Sequence, residues 1–360
     1  MSEPGKRNYD MTMMAALFLL VLFGLVILYS TSAYNGEVKF QDAFYYLKKQ
    51  LFATALGIAG MYAVSRIDYH LWRRAATAGY LAAILLSVAV LFVGDEYNGS
   101  KRWLSLGPFS FQPSEFAKVA VILFLAHVIT KNIQNMGKMR TLLKIMTMIL
   151  PVVALVGASN LSTAIIILGI AVVLVFVASP KYGQFVIMGI LGIGFMAVFL
   201  ALESYRLERI AIWRNPENYE KGYQTLQGLY AIGSGGLFGR GLGQSVQKLG
   251  FVPEAQNDMI FSIICEELGL FGAGMILLLF LILIWRFYVV ASRAEDLFGA
   301  LIASGAMAHM MIQVILNIAV VTNTIPNTGI TLPFVSYGGT SVVFLLLEMG
   351  LVFSVSSLVK

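Results

Sequence analysis

The chain has 360 residues, of which 58% are hydrophobic and only 12% are charged, with a net charge of +6 and a mean hydropathy of +0.80. Soluble domains carry about 25% charged residues, so the composition excludes an ordinary soluble protein. The apolar residues form continuous blocks about as long as the 20 residues that cross a hydrocarbon core, which indicates membrane helices rather than the alternating strands of a β-barrel.

Ten apolar spans predict an all-α, polytopic membrane protein with ten transmembrane helices. In chain order the spans cover residues 12–33, 48–65, 75–94, 114–130, 142–157, 161–178, 183–202, 259–285, 298–322 and 335–358. The division between the fifth and sixth spans rests on residues 157–160, because glycine and asparagine disfavour helix continuation. The first span is too long for a cleaved signal sequence, so we expect it to be retained. Residues 1–360 are expected to form a single transmembrane domain.

Lysine and arginine set the predicted orientation, because short cytoplasmic loops are richer in both than short outside loops. With the N-terminus in the cytoplasm, the inside segments hold 13 of these residues and the short outside loops hold 5. Both termini are therefore predicted to face the cytoplasm. Topology alone explains these basic residues, so we expect no nucleic acid partner. The net positive charge suits anionic lipids or a phosphorylated substrate.

Two predicted outside loops are long enough to suggest function. They cover residues 94–113 and about 203–258, and the second lies between the seventh and eighth spans. The longer loop contains aromatic residues and leucines, which argue against disorder, followed by a glycine cluster at residues 233–243. We expect short amphipathic helices at the outer interface and then a turn shaped by glycine.

Asp258 stands at the boundary between this long loop and the eighth span, where water and lipid meet. A partly desolvated carboxylate there could act as a general base, because its pKa would approach the working pH. The alternative is a helix cap, in which Asn257 or Asp258 binds the free N–H groups of the first turn. A tightly capped carboxylate would be a poor base, because hydrogen bonds to the charged form lower its pKa. The local sequence leaves both hypotheses open.

Three further candidates are ionisable residues inside predicted spans, where charges are costly and are usually paired or functional. Glu115 and Lys118 follow Pro113 and lie three residues apart, hence on one helix face. Lys118 could bind an anionic head group, or the pair could neutralise itself and orient the helix. Glu348 lies midway along the last span, and we expect it to face the bundle interior or to be protonated.

The first long loop carries Lys101 and Arg102 beside Trp103. Lysine and arginine suit a pyrophosphate group. Tryptophan suits the face of a sugar, and equally the aromatic belt at a membrane interface. These three residues are therefore candidates for substrate binding.

A glycine-rich segment at residues 327–341 precedes the last span and contains Ser336, Gly338 and Gly339. Non-helical backbone at the edge of a span is tolerated where it lines a wet cavity. The two glycines would allow the close approach of either a ligand or another helix. We include all three residues among the candidates for substrate binding, with helix packing as the alternative.

Cysteine and histidine give no sign of a thiol or metal site. The single cysteine, Cys265, lies in an apolar block, where burial raises the pKa of a thiol, and it can form no intrachain disulfide. The three histidines are scattered at positions 70, 127 and 309 and lack the spacing of metal ligands.

Four stretches carry a resemblance to a known family. They contain Gly-Ser-Lys-Arg-Trp with Phe-Gln-Pro-Ser-Glu (99–118), Gly-Tyr-Gln with Gly-Arg-Gly-Leu-Gly (222–243), Lys-Leu-Gly-Phe-Val-Pro-Glu with Glu-Glu-Leu-Gly (248–269), and Thr-Gly-Ile-Thr-Leu-Pro-Phe-Val-Ser-Tyr-Gly-Gly (328–339). In order and spacing the chain resembles, along essentially its whole length, the SEDS family of shape, elongation, division and sporulation proteins, typified by FtsW, RodA and SpoVE.

The resemblance implies a ten-helix fold and peptidoglycan glycosyltransferase activity. Such proteins polymerise lipid II, an undecaprenyl-pyrophosphate disaccharide-peptide, on the outer face of the bacterial cytoplasmic membrane. The implied partners are a class B penicillin-binding protein, which is a transpeptidase, and other divisome proteins. The family's essential carboxylate falls on Asp258, and Trp103, Glu115 and Lys118 match family positions tied to activity.

Two positions refine the resemblance. Thr331 is similar to the division and sporulation branch, whereas the elongation branch more often has proline there, and residues 320–322 lean the same way. We therefore expect a role in septal synthesis, with elongation as the alternative. Many members carry an acid before the sixth helix where this chain has Asn160, which puts any role of that acid as base or metal ligand in doubt.

The resulting hypothesis makes Asp258 the base that accepts the proton of the acceptor sugar's 4-hydroxyl. That hydroxyl attacks the anomeric carbon of the donor chain, and undecaprenyl pyrophosphate leaves. The charge of the leaving group would be stabilised by Lys101, Arg102, Lys118, Lys248 or a divalent cation such as Mg²⁺ or Mn²⁺.

Two other functions stay open at this point. One is a flippase that moves lipid II across the bilayer, with the ionisable residues of the spans lining its path. The other is a scaffold that recruits the transpeptidase and performs no chemistry.

Overall fold

The computed structural model describes residues 9–97, 100–106, 109–186, 189 and 211–359. These residues form a helical bundle with one small sheet. Helices α1 to α6 cover Met11–Phe40, Tyr45–Arg66, Tyr69–Val93, Pro113–Asn132, Met139–Ser159 and Leu161–Ala178. Helices α7 to α10 cover Tyr223–Gly235, Ile260–Arg293, Leu297–Val321 and Gly339–Ser356. Short 3₁₀ helices lie at Ile133–Asn135, Pro216–Asn218 and Glu220–Gly222.

Eight of the described helices are long and apolar enough to cross a membrane, namely α1, α3, α4, α5, α6, α8, α9 and α10. The second predicted span coincides with α2, which has 22 residues. Most of the seventh predicted span, residues 183–202, lies outside the described residues. The prediction of a helical, multi-pass membrane protein is confirmed, and the small sheet is the feature that it did not include.

Side-chain caps fix where four helices begin. Asp10, Asp68 and Asp296 each accept a backbone N–H of the helix that follows, at 2.8–2.9 Å. Asn160 accepts the N–H of Thr163 at 3.2 Å and so begins α6. Because a cap satisfies N–H groups that have no partner within the helix, it marks a firm boundary. The break predicted between the fifth and sixth spans is therefore present.

The first long loop folds into a three-stranded antiparallel sheet in the order β1-β2-β3, with strands Asp95–Tyr97, Ser100–Leu106 and Phe109–Phe111. The Nε atom of Arg102 donates to the carbonyl of Ser159 at 2.9 Å. That carbonyl is at the C-terminal end of α5, where a cation interacts favourably with the helix dipole. Arg102 thus attaches the sheet to the end of α5.

Helix α8 is broken in its N-terminal third by Gly269, which has φ 66° and ψ −168°. The carbonyls of Glu266 and Glu267 accept hydrogen bonds from the N–H groups of residues 240–241. The N–H groups just after the break donate to the carbonyls of residues 236–237, and all these bonds measure 2.9–3.0 Å. Backbone groups freed at membrane depth need protein partners. The glycine-rich segment of the long loop supplies them, which explains why it packs against α8.

Candidate functional site

Asp258 lies in the turn that leads into α8, and only 8% of it is exposed. The helix begins at Ile260 with Met259 as its N-cap, and no side chain caps it. The cap hypothesis for Asn257 or Asp258 is therefore wrong. The turn places the Asp258 carboxylate before the helix without engaging it in the first helical turn.

Burial raises the pKa of Asp258 from 3.8 to about 7. A hydrogen bond from its own backbone N–H opposes this rise, the nearby carboxylate of Glu254 adds to it, and a hydrogen bond from Gln224 opposes it. Loss of hydration disfavours the charged form of an acid, and here that effect outweighs the hydrogen bonds. A carboxylate with a pKa near 7 is well matched to accept a proton at neutral pH.

Gln224 contacts the carboxylate, and Asn327 in turn contacts Gln224. Gln224 in α7 donates from Nε2 to Asp258 Oδ1 at 3.4 Å and to the carbonyl of Pro253 at 3.1 Å. Its Oε1 accepts from Nδ2 of Asn327 at 2.9 Å, and Asn327 Oδ1 accepts the N–H of Gly329 at 3.0 Å. The long loop, the start of α8 and the segment after α9 therefore meet at Asp258.

Two buried amides on α9 bind the backbone on either side of the site, at residue 258 and at residues 330–331. Asn317 donates from Nδ2 to the carbonyls of Asp258 and Ile330, at 2.8 and 2.7 Å. Gln313, one turn earlier, donates to the carbonyl of Thr331 at 3.0 Å. Because residues four apart share a helix face, the two amides act on neighbouring parts of the same non-helical backbone. They fix Asp258 relative to the segment of residues 327–341 that precedes α10.

The ion pair predicted in α4 is present and belongs to a larger buried network. Lys118 Nζ lies 2.9 Å from Glu115 Oε1 and 3.2 Å from Gln313 Oε1. His309 contacts the same Gln313 oxygen through Nε2 at 2.9 Å and Glu348 through Nδ1 at 2.7 Å. Glu348 thus faces the bundle interior, as expected. The network joins α4, α9 and α10 beneath the site.

Lys248 also lies in a buried ion pair. Its Nζ is 2.7 Å from Glu267 Oε1 and 3.0 Å from the hydroxyl of Ser30. Glu266 accepts the N–H of Val246 at 3.1 Å, so the two carboxylates of α8 hold the preceding loop. A phosphate could reach Lys248 only by sharing its ammonium with Glu267.

The candidates of the first loop lie on strand β2. Lys101, Arg102 and Trp103 are all half-buried. In the antiparallel register Lys101 stands opposite Glu96, and Trp103 stands opposite Asp95. Arg102 contacts the end of α5, so part of its role is structural.

The remaining candidates support the segment before α10. Ser336 accepts the N–H of Leu332 at 2.8 Å, and Gly338 donates its N–H to Gln50 of α2 at 3.1 Å. A side chain at Gly339 would meet α2 at 3.6 Å. The segment therefore packs against α2 at an ordinary van der Waals distance, which fits helix packing as the alternative to ligand approach.

The sequence did not single out the amides that surround Asp258. Gln224, Gln313, Asn317 and Asn327 carry no charge and are distant from Asp258 in sequence. Only the repeat of polar residues at 309, 313 and 317 within an apolar span could have signalled the buried amides of α9. Among the residues that the structure describes, no group of three or more His, Cys, Asp or Glu side chains could hold a metal ion.

Comparisons with known proteins give one consistent result. The sequence model of the FtsW/RodA/SpoVE family, described as cell cycle protein, matches residues 10–360. Stage V sporulation protein E of Bacillus subtilis is 39% identical over 364 residues, covering 98% of each chain. A probable peptidoglycan glycosyltransferase FtsW of a Geobacter species is 35% identical over 357 residues, covering 98% of this chain and 97% of the relative.

Solved structures agree with the sequence comparisons. A chain from a study of a peptidoglycan synthase complex that coordinates polymerization and crosslinking is 29% identical, with a TM-score of 0.82, over 97% of this chain and 98% of that one. The rod shape determining protein RodA of Thermus thermophilus is 28% identical, with a TM-score of 0.72, over 97% of each chain. This chain belongs to the FtsW/RodA/SpoVE family of multi-pass membrane proteins.

Proposed function

We propose that this chain is a peptidoglycan glycosyltransferase, which polymerises lipid II into glycan strands at the outer face of the bacterial cytoplasmic membrane, with both termini in the cytoplasm. Relatives along nearly the whole chain are named for this transfer activity. The observation that carries the proposal is Asp258, a buried carboxylate with a pKa of about 7 at the end of a membrane helix. Such a group can serve a substrate whose sugar is in water and whose tail is in lipid.

In the proposed step Asp258 accepts the proton of the acceptor sugar's 4-hydroxyl. The hydroxyl oxygen forms a bond to the anomeric carbon of the donor chain as the bond from that carbon to the pyrophosphate oxygen breaks. The electron pair leaves with undecaprenyl pyrophosphate. Because the donor linkage is α and the displacement inverts it once, the product linkage is β.

The leaving group gains charge, and cations should stabilise it. Lys101 and Arg102 on β2 are the first candidates, because both side chains are only half-buried. Lys118 and Lys248 already neutralise buried carboxylates, so we expect them to act by sharing their ammonium groups. Trp103 lies on the same strand, and its proposed role is contact with the face of a sugar.

A class B penicillin-binding protein is the proposed partner, because a structurally similar chain comes from a complex that couples polymerization to crosslinking. Septal synthesis with other divisome proteins is the proposed setting. The relative named for stage V sporulation supports a sporulation role as a second setting for the same chemistry. Elongation by a polymerase of the RodA type is the alternative.

The test is polymerisation of lipid II by purified protein in detergent, with and without the partner transpeptidase. The wild type should make glycan strands, and Asp258→Asn should lose about 100-fold or more, as expected for removal of a general base. The matched control is Asp42→Asn, which alters an aspartate of another outside loop that pairs with Lys48 at 2.7 Å. If the chain were instead a flippase, the wild type would make no glycan in detergent, because transport needs a sealed bilayer. If it were only a scaffold, cells that carry Asp258→Asn would still grow.

A further inference from the structure

Four amides belong to the hydrogen-bond network around Asp258, and they differ in exposure. Gln313 and Asn317 are buried to 2% and 0% exposure and donate to backbone carbonyls at 2.7–3.0 Å. Gln224 and Asn327 are partly exposed, and Nδ2 of Asn327 donates to Oε1 of Gln224 at 2.9 Å. The buried amides hold the backbone. Gln224 is the member of the exposed pair that reaches the carboxylate of Asp258, at 3.4 Å.

We propose that Gln224 and Asn327 form the recognition site for the acceptor sugar, the one whose hydroxyl Asp258 deprotonates. This inference rests on the proposed function and assigns a specificity role to two side chains. The amides exchange their mutual hydrogen bond for bonds to sugar oxygens next to the attacking hydroxyl.

The hydrogen bond from Gln224 to the carboxylate is one that a substrate can replace. At 3.4 Å it lies beyond the usual 2.7–3.2 Å range of N–H···O bonds, and the same nitrogen also donates to Pro253. Two donors on one carboxylate oxygen lie about 5 Å apart at ordinary hydrogen-bond lengths. A hydroxyl bound to Asp258 Oδ1 therefore brings the neighbouring oxygen of its sugar ring to the Gln224 amide.

Amides suit this position because they are neutral and both donate and accept. A cation beside Asp258 would lower the pKa of its carboxyl and weaken it as a base, and a second carboxylate would raise that pKa further.

Neighbouring positions add polar atoms that lack a partner among the described residues, namely Thr328 Oγ1 and Asn257 Oδ1. Buried polar atoms normally have a partner. A ligand with several hydroxyl groups would supply partners here.

The test combines protein variants with altered substrates. The probes are lipid II and two analogues whose non-reducing sugar lacks the 3-hydroxyl or the 6-hydroxyl and keeps the 4-hydroxyl. For the wild type we expect one deoxy analogue to lower kcat/KM about tenfold or more, because it leaves a hydrogen-bonding group of the site unpaired. Gln224→Met or Asn327→Leu should use lipid II and that analogue almost equally, with a raised KM for lipid II. Gln134→Met, an exposed glutamine after α4, should keep wild-type discrimination.

Gln224→Glu is the control for misfolding, because a glutamate at this position can still accept the hydrogen bond from Asn327. It should keep the Asn327 contact and change the pH profile by adding a charge beside Asp258. The inference is overturned if folded Gln224→Met and Asn327→Leu discriminate between the substrates as the wild type does. In that case loss of activity in Asp258→Asn would leave the polymerase proposal standing. Full activity in Asp258→Asn would instead remove the proposed base, whatever the amide variants show.

Discussion

The carboxylates of Glu115 and Glu267 each lie within 2.9 Å of a lysine ammonium, whereas that of Asp258 meets an amide at 3.4 Å. All three are buried. In the lysine pairs the attraction of the partner charge offsets much of the cost of removing an ion from water. At Asp258 that cost is left uncompensated and appears as a pKa of about 7. The contrast separates charges that hold the bundle together from one that is ready to take up a proton.

Breaking an ion pair should produce the largest loss of stability. Lys248→Met leaves Glu267 as an uncompensated buried charge, which typically costs about 3–5 kcal/mol of unfolding free energy. The double variant Lys248→Met/Glu267→Gln removes both charges and should recover much of that loss. Thermal unfolding in detergent measures both. A single variant that unfolds at the wild-type temperature would contradict the structural role of the pair.

The opposite result is expected at Asp258, where removing the charge should stabilise the fold. Its pKa is about 7 in the folded protein and near 3.8 when unfolded, so stability is lost as pH rises from the lower value to the higher. At about 1.4 kcal/mol for each of roughly three pKa units, Asp258→Asn should gain on the order of 4 kcal/mol at pH 8.

The same variant supplies its own control at lower pH. At pH 5 the gain should shrink, because folded Asp258 is then already neutral. Unfolding temperatures of the two proteins at pH 5 and pH 8 measure the difference. A gain of equal size at both values would show that the carboxylate is not destabilised by burial.

A smaller loss of stability is expected when glycines at residues 233–243 are replaced by alanine. Comparing two such variants distinguishes a steric clash with α8 from backbone strain alone. Gly239 has φ 77°, and a Cβ there would overlap the carbonyl of Glu267. Gly243 has φ 81°, but a Cβ there would meet nothing within 4 Å. Gly239→Ala should therefore cost about 1–3 kcal/mol more than the matched Gly243→Ala, because only the first also forces the loop away from α8. Equal unfolding temperatures would contradict the contact at the break.

Local features of the structure could be predicted from the sequence. The apolar spans, the helix break at residues 157–160 and the pairing of Glu115 with Lys118 depend on residues that are close in the chain. The partners of Asp258 do not, because Gln224 precedes it by 34 residues and Asn317 follows it by 59. Neutral amides also carry no charge pattern that could reveal them.

Two other features depended on tertiary contacts. The sequence around Gly269 is continuously apolar and predicts one unbroken helix. The break is stable because residues 236–241 of the long loop bind the backbone groups that it frees. Lys248 looked like a free cation for a phosphate, but its partner Glu267 comes from the following helix. In both cases the tertiary contacts of the residue, and not its amino-acid type, determine its role.

The most direct test of the account is the pH dependence of kcat/KM for lipid II polymerisation, which reports the pKa of the free enzyme's base. The wild-type rate should fall tenfold per pH unit below a midpoint near pH 7, where burial sets the pKa of Asp258. In Glu254→Gln the midpoint should move to lower pH, because the neighbouring charge that helps to raise this pKa is gone. A wild-type rate that stays constant from about pH 5.5 to 8, or a midpoint unmoved in Glu254→Gln, would contradict the assignment of Asp258 as the base.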